Sequence, residues 1–205
     1  MMTHRAKAIV FDFGGVLLGW EPRRLFQRFF PEGPQAVDAF MSEIGFAAWH
    51  VEQDRGRPFA EAIAAHSAKF PQYAHIIPDY DTYYEEAVGD AISDSVDILR
   101  RLKQAGYPLY GLSNYPSEKF RLARRRYEFL GWFDDILISG DVGLVKPDPA
   151  IFRLLLAKIG RAAQECIFID DVSANVAVAQ GLGFTTIQFR SPEQLEQELR
   201  ALEIL

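Results

Sequence analysis

Asp12-Phe13-Gly14-Gly15 places a carboxylate and two glycines directly after the apolar run Ala8-Ile9-Val10-Phe11. Such a run reads as a buried strand that delivers Asp12 to its C-terminal tip and then turns tightly. A carboxylate there suits two roles, a nucleophile toward phosphorus or a metal ligand. The glycines let backbone approach a ligand and let amide N–H groups point inward. Two later runs end in a similar way. Leu109-Tyr110-Gly111-Leu112 ends in Ser113-Asn114, donors for a phosphoryl oxygen or caps for the next helix. Cys166-Ile167-Phe168-Ile169 ends in Asp170-Asp171. Adjacent carboxylates at a buried tip are costly unless cations or donors meet them, and they suit Mg²⁺, which prefers oxygen ligands. Lys146, between Leu144-Val145 and Pro147, is a point charge able to neutralise a carboxylate and a phosphate together. Each group also has an ordinary reading: Asp12 as a turn former, Ser113 as a cap, Lys146 as a surface lysine, Asp170-Asp171 as a helix start.

The elements that would position these groups follow from the apolar spacing. Strands are expected at Lys7–Phe11, Tyr107–Leu112, Asp135–Ser139, Glu165–Ile169 and Thr185–Phe189. Helices are expected from Ser95 to a stop at Gly106, at Ser117–Phe129, at Pro149–Ile159 with Asp148 as cap and Gly160 as stop, at Ala174–Gln180 stopped by Gly181, and at Pro192–Ile204. Alternating strands and helices with short connections predict an α/β fold with a doubly wound, mostly parallel sheet. From about residue 19 to 88 the pattern changes. Apolar residues recur at helical spacing, and Pro31, Pro34, Pro58, Pro71 and Pro78 divide the segment into short helices. The expected organisation is a core of residues 1–18 and 89–205, with an all-helical insert at 19–88.

Composition bounds the partners. With 205 residues, 49% of them hydrophobic, the chain can bury a substantial core. A net charge of -6 without an isolated basic block gives no nucleic-acid footprint. Arg121, Arg124, Arg125 and Arg126 read as one solvated helix face. No stretch approaches the length of a membrane span, and Met1–Lys7 lacks the long apolar region of a secretion signal. The single cysteine, Cys166, permits no disulfide within the chain; it reads as core filler and fits a reducing cytoplasm. These residues leave the oligomeric state undetermined.

Taken in order, Asp12-Phe13-Gly14-Gly15-Val16-Leu17, Leu112-Ser113-Asn114, Lys146-Pro147 and Phe168-Ile169-Asp170-Asp171 resemble the four motifs of the haloacid dehalogenase superfamily. The resemblance spans essentially the whole chain. It implies a Rossmann-like core with a helical cap after the first strand, acting on a small phosphorylated substrate through an aspartyl-phosphate. It further implies Asp12 as nucleophile, Ser113 with Asn114, Lys146 and Gly15 at the phosphate, and Mg²⁺ held by Asp12, the Gly14 carbonyl, Asp170 and Asp171. Family phosphatases usually carry a second Asp two residues after the nucleophile as general acid and base, and here that position is Gly14. Proton transfer of that kind is worth about 10²–10⁴ in rate. The expectation is therefore a preference for good leaving groups, such as a sugar 1-phosphate or an acyl phosphate. An Asp introduced at Gly14 would also need room in a turn expected to be tight. The departure is shared with a subgroup of Asp-x-Gly sugar-phosphate phosphatases that includes a glucose 1-phosphate hydrolase.

Two alternatives accompany this reading. Metal-independent 2-haloacid dehalogenases of the same superfamily also lack the second Asp. They usually replace the double-Asp motif with serine and asparagine, and have a tyrosine where this chain has Phe152, although Asn175 could mimic part of their site. A catalytically weak binding or scaffold protein is the other. In the insert, Trp20, Trp49, His50 and Glu52, with Asp54 and Arg55, are the candidate substrate contacts; Trp49 could instead pack between helices. His50 is not expected to bind metal, since His66 and His75 are remote in sequence.

Overall fold

A computed structural model describes residues 7–205, so the expectation for Met1–Ala6 lies outside the described residues. Five strands, β1 (Ala8–Phe11), β2 (Leu109–Ser113), β3 (Asp135–Ile138), β4 (Cys166–Asp170) and β5 (Thr185–Gln188), form one all-parallel sheet in the order β3-β2-β1-β4-β5. Every residue of β1 and of β4 is buried, which explains why they read as continuous apolar runs rather than alternating ones. Ile9 and Phe11 face one apolar cluster, while Ala8 and Val10 face the other. The first side is covered by α6 (Ser93–Gln104), α7 (Ser117–Arg126) and α11 (Pro192–Ala201); the second by α9 (Pro149–Ile159) and α10 (Ser173–Gly181), and the short α8 (Ser139–Val142) directly follows β3.

The chain winds from β1 to β2 and β3, then returns past β1 to β4 and β5. The winding therefore reverses between β1 and β4, and a crevice opens beyond their carboxyl ends. Phe11 pairs with Gly111 on one side and Ile169 on the other, so the tips of β1, β2 and β4 are level.

Between β1 and β2 every described regular element is helical. Two 3-10 turns (Pro22–Leu25, Gln27–Phe29) precede α1 (Pro34–Glu43), α2 (Phe46–Asp54) and α3 (Phe59–Lys69). A further 3-10 turn (Pro71–Tyr73) leads to α4 (Asp79–Thr82) and α5 (Tyr84–Val88). The chain leaves and returns side by side: Leu18 bridges Ala91, and Gly19 N–H donates to Asp90 O at 3.1 Å. Lys119 of α7 reaches into this helical segment and donates to the Asp81 carbonyl at 2.7 Å. Phe40, Phe46, Trp49, Tyr80 and Tyr84 join the apolar cluster under Phe11, so the segment and the sheet share one interior. Among the described residues no helix is long and apolar enough to cross a membrane.

Several boundaries differ from the sequence expectation for local reasons. Tyr107 does not start β2, because its N–H closes the end of α6 on Leu102 O (3.1 Å) and Pro108 has no N–H to give. Gly181 does not stop α10. It is the helix's last residue, and Gly183, at φ 97°, makes the turn. α7 ends at Arg126, and a 3-10 turn follows at Glu128–Trp132. α11 ends at Ala201 rather than Ile204. Ser113 and Asp170 are the last residues of their strands rather than the first beyond them.

Candidate active site

Four side chains from three strand tips and one loop meet at the crevice. Asp12 Oδ1 accepts from Ser113 Oγ at 2.8 Å and from the Phe13 N–H at 2.6 Å. Lys146 Nζ lies 2.9 Å from Asp12 Oδ2 and 2.6 Å from Asp170 Oδ2, bridging the two carboxylates. Phe13 anchors the turn. Its ring occupies the space over Gly111 where a Cβ would sit, and it stacks on Phe120 at 5.9 Å. Burial, opposed by Lys146 and reinforced by Asp170, pushes Asp12 up to about 7. Burial alone would lower the Lys146 pKa, but Asp12 and Asp170 outweigh it and the net shift is upward, so the lysine stays charged.

Asp170 is fully buried beneath this layer. Besides Lys146, Oδ1 accepts from the Val172 N–H at 2.8 Å, and Asn175 Nδ2 donates to both oxygens at 3.0 Å. Asn175 thus holds Asp170 in place. Asp171 is exposed, and its carboxylate is met by the backbone N–H groups of Asp171 and Val172. Partial burial, then the Asp170 charge, raises its pKa. Carboxylate oxygens of Asp12, Asp170 and Asp171 lie within 4.8 Å of one another. Mg²⁺ binds oxygens at about 2.0–2.1 Å, so opposite ligands stand about 4.2 Å apart, and the donor set fits such an ion with small adjustments. Three carboxylates against one ammonium also leave two formal negative charges, the complement of a dication.

The glycines and Asn114 behave differently from the sequence expectation. Gly15, at φ 71°, donates its N–H to Leu18 O at 2.8 Å, so that amide closes the turn instead of pointing at a ligand. A Cβ on Gly15 would run into the Asp171 carboxylate. Asn114 lines the cavity, but its amide clasps the Lys146 backbone, donating to the carbonyl at 3.0 Å and accepting from the N–H at 2.7 Å. It positions the lysine. Gly14 is open: a Cβ there would meet no atom within 4 Å, and its φ is not in the left-handed region. The turn is not tight at this point. Gly14→Asp is therefore expected to fold, with stability within about 1 kcal/mol of wild type. Thermal denaturation checks this, and a collapsed melting transition would contradict it.

A cavity of about 250 Å³ stands over Asp12, Ser113 and Lys146, walled on the far side by Trp20, His50, Asp54 and Tyr84. Trp20 stacks on His50 at 4.9 Å and touches Tyr84 at 5.6 Å. His50 Nδ1 is 2.6 Å from Tyr80 Oη, and burial lowers the imidazole pKa to about 4. Trp49 and Glu52 do not reach the cavity. Trp49 is buried against His66 at 4.0 Å, and Glu52 is exposed and pairs with Arg57. Neighbouring helix positions are rotated about 100° apart, so Trp49 and His50 cannot share a face. His50 and Asp54, four apart, do share one, with Nε2 and Oδ2 3.6 Å apart. Arg55 is exposed.

Comparison with known proteins gives a consistent picture. A family model for haloacid dehalogenase-like hydrolases matches residues 6–183. The sesquiterpene phosphatase astK of Aspergillus oryzae is 27% identical over 96% of each chain. A phosphoglycolate phosphatase of Xanthomonas campestris is 28% identical over 88% of this chain and 81% of its own. The mouse acyl-CoA dehydrogenase family member 10 is 29% identical over 96% of this chain, which spans only 19% of that protein's length. A Bacteroides thetaiotaomicron HAD family enzyme, solved with magnesium and inorganic phosphate, superposes with a TM-score of 0.71 at 24% identity, covering 91% of this chain and 95% of its own. A dehalogenase superposes with a TM-score of 0.67 at 23% identity, over 94% and 90%. At these identities the two structures share the fold.

Proposed function

The chain belongs to the haloacid dehalogenase-like hydrolases, and we propose that within them it is a Mg²⁺-dependent phosphatase of small phosphorylated metabolites. The observation that supports this is the cluster of Asp12, Asp170 and Asp171 around one lysine, an oxygen-donor set short of two positive charges. Asp12, Asp170 and Asp171, with the Gly14 carbonyl, would hold the metal. When bound, Mg²⁺ offsets two negative charges and polarises a phosphoryl oxygen. Asp12 attacks phosphorus in line with the departing oxygen and becomes an aspartyl-phosphate. Lys146 and Ser113 stand beside Asp12 and stabilise charge on the transferring oxygens, while Asn114 and Asn175 fix Lys146 and Asp170. Water then cleaves the intermediate and frees Asp12. In this reading residues 19–88 form a lid that completes the cavity and excludes bulk water.

The substrate alcohol lies against the wall of Trp20, His50 and Tyr84. A flat aromatic wall over a cavity of about 250 Å³ suits a sugar ring, which makes a sugar 1-phosphate a candidate. Both related phosphatases fit a phosphomonoester reading, and the third carboxylate, Asp171, within 4.8 Å of Asp12 and Asp170 and not bridged by Lys146, argues against the metal-independent dehalogenase alternative.

The test is hydrolysis of a panel of phosphomonoesters, with and without Mg²⁺. Chelation is expected to abolish turnover and added Mg²⁺ to restore it. Asp171→Asn should raise the Mg²⁺ concentration for half-maximal rate about tenfold or more, because a neutral amide compensates a hard cation poorly. Turnover unchanged in chelator would remove the metal from the reading. Halide release from 2-haloacids in chelator would replace it with the dehalogenase alternative, and no turnover of either class with the scaffold one.

A further inference from the structure

Asp54 is the last residue of α2 and only 4% exposed, yet it lines the cavity that holds Asp12 and Lys146. Its Oδ1 is buried without a hydrogen-bond partner. Its Oδ2 lies 3.6 Å from His50 Nε2, beyond hydrogen-bond length. Among the described residues no hydrogen bond or ion pair joins it to Asp12, Asp170 or Asp171, and none to a lysine or arginine. A buried carboxyl oxygen without a partner costs stability, and such a group calls for an explanation.

We propose that Asp54 is the proton donor to the leaving group, entering the site from the helical segment and doing the work that Gly14 cannot. Its surroundings favour a carboxylic acid over a carboxylate. A neutral His50 lies beside it, Tyr84 and Tyr115 line the same cavity, and α2 ends there with its negative pole. Burial, then the charge of Asp12, pushes Asp54 up to about 7 against the pull of Lys146, a value suited to giving and taking a proton near neutrality. His50 Nδ1 is engaged by Tyr80 Oη at 2.6 Å, which leaves Nε2 as the ring nitrogen on the Asp54 side, 3.6 Å from Oδ2. The residue lines the cavity, and Oδ1, sealed from solvent, has no protein hydrogen bond that a turn of the carboxyl toward the substrate would break.

The inference rests on the phosphatase reading. In the first half-reaction an Asp12 oxygen forms a bond to phosphorus, and the bond from phosphorus to the leaving oxygen breaks. The electron pair stays on the leaving oxygen, which takes the Asp54 proton and departs as the neutral alcohol. In the second half, the Asp54 carboxylate takes a proton from water as the water oxygen bonds to phosphorus. The bond to Asp12 breaks, leaving inorganic phosphate, a free Asp12 carboxylate and a protonated Asp54. The preference for good leaving groups expected from Gly14 then belongs to enzyme without Asp54, not to wild type.

The test compares kcat/KM for 4-nitrophenyl phosphate and phenyl phosphate, which carry no hydroxyl for Asp54 to bind. Wild type should hydrolyse the two within about tenfold of each other. Asp54→Asn should lose about 10²-fold or more on phenyl phosphate but less than about tenfold on 4-nitrophenyl phosphate. Gly14→Asp in that background should restore phenyl phosphate selectively. Equal losses on both esters, or no loss, overturn the proposal, since a holding role would not distinguish leaving groups. If Asp54→Asn fails to fold, the wild-type ratio decides: a phenyl phosphate rate about 10²-fold or more below that of the nitrophenyl ester overturns it. Asp12→Asn run in parallel reports separately on the underlying reading. Wild type that turns over neither ester defeats the phosphatase reading itself, activity that survives Asp12→Asn removes Asp12 as the nucleophile, and a dead Asp12→Asn beside a uniformly weakened Asp54→Asn defeats only the role of Asp54.

Discussion

Asp12→Asn is expected to lower phosphomonoester turnover by about 10⁴-fold or more while leaving the chain folded. An amide nitrogen in place of the attacking oxygen cannot form the aspartyl-phosphate, and no other carboxylate shares its position at the tip of β1. The fold should survive because the substitution is nearly isosteric and most partners remain. The Phe13 N–H (2.6 Å) and the Ser113 hydroxyl (2.8 Å) both donate to Oδ1, which Asn retains as an acceptor. Lys146 loses its 2.9 Å contact at Oδ2 but keeps Asp170 at 2.6 Å. The variant also loses a carboxylate that burial already disfavours, which offsets part of that loss. A stability change within about 2 kcal/mol follows. The measurement is turnover together with mass spectrometry of acid-quenched enzyme. Wild type should show a phosphoryl adduct, and the variant none. A variant within tenfold of wild type would place the nucleophile elsewhere.

Lys146→Met should lower turnover by about 10²–10³-fold and destabilise the fold in a pH-dependent way. The lysine is almost wholly buried, and its removal leaves two buried carboxylates without their shared cation. Removing one partner from a buried pair costs about 3–5 kcal/mol when the remaining charge cannot be neutralised. The direction with pH follows from Asp12. Burial, against the pull of Lys146, already raises its folded pKa from 3.8 to about 7, and loss of the lysine raises it further. A carboxyl with a raised folded pKa contributes its full stability below the unfolded value, and that contribution is lost as pH rises toward the folded one. The gap in melting temperature between wild type and variant should therefore be small near pH 4 and widest above pH 7. Added Mg²⁺ should narrow it by replacing the missing charge. A gap that does not change with pH would mean that Lys146 contributes through packing alone.

The sequence by itself determined the sheet, the helical segment and the identity of the groups at the strand tips. These are local properties. Ala8–Phe11 and Cys166–Asp170 are apolar along their length because both faces of a central parallel strand are covered, and a contiguous run shows that without knowledge of its neighbours. Asp148 before Pro149, and Gly160 after Ile159, mark a helix through the conformations of single residues. Tertiary structure alone decided what each polar group faces. Ser113 meets Asp12 across 101 residues of chain, and Asn114 clasps the backbone of Lys146 across 32. Asp170 and Asp171 are adjacent and chemically identical, yet one is sealed under Lys146 and Asn175 while the other is open to the crevice. The phase of α2 turned Trp49 inward and brought His50 and Asp54 over Asp12, although their spacing of four was visible beforehand. Burial and hydrogen-bond partnership arise from packing between distant segments. They fix which carboxyl is charged, which is bridged and which is left without a partner, and a one-dimensional pattern does not carry that information.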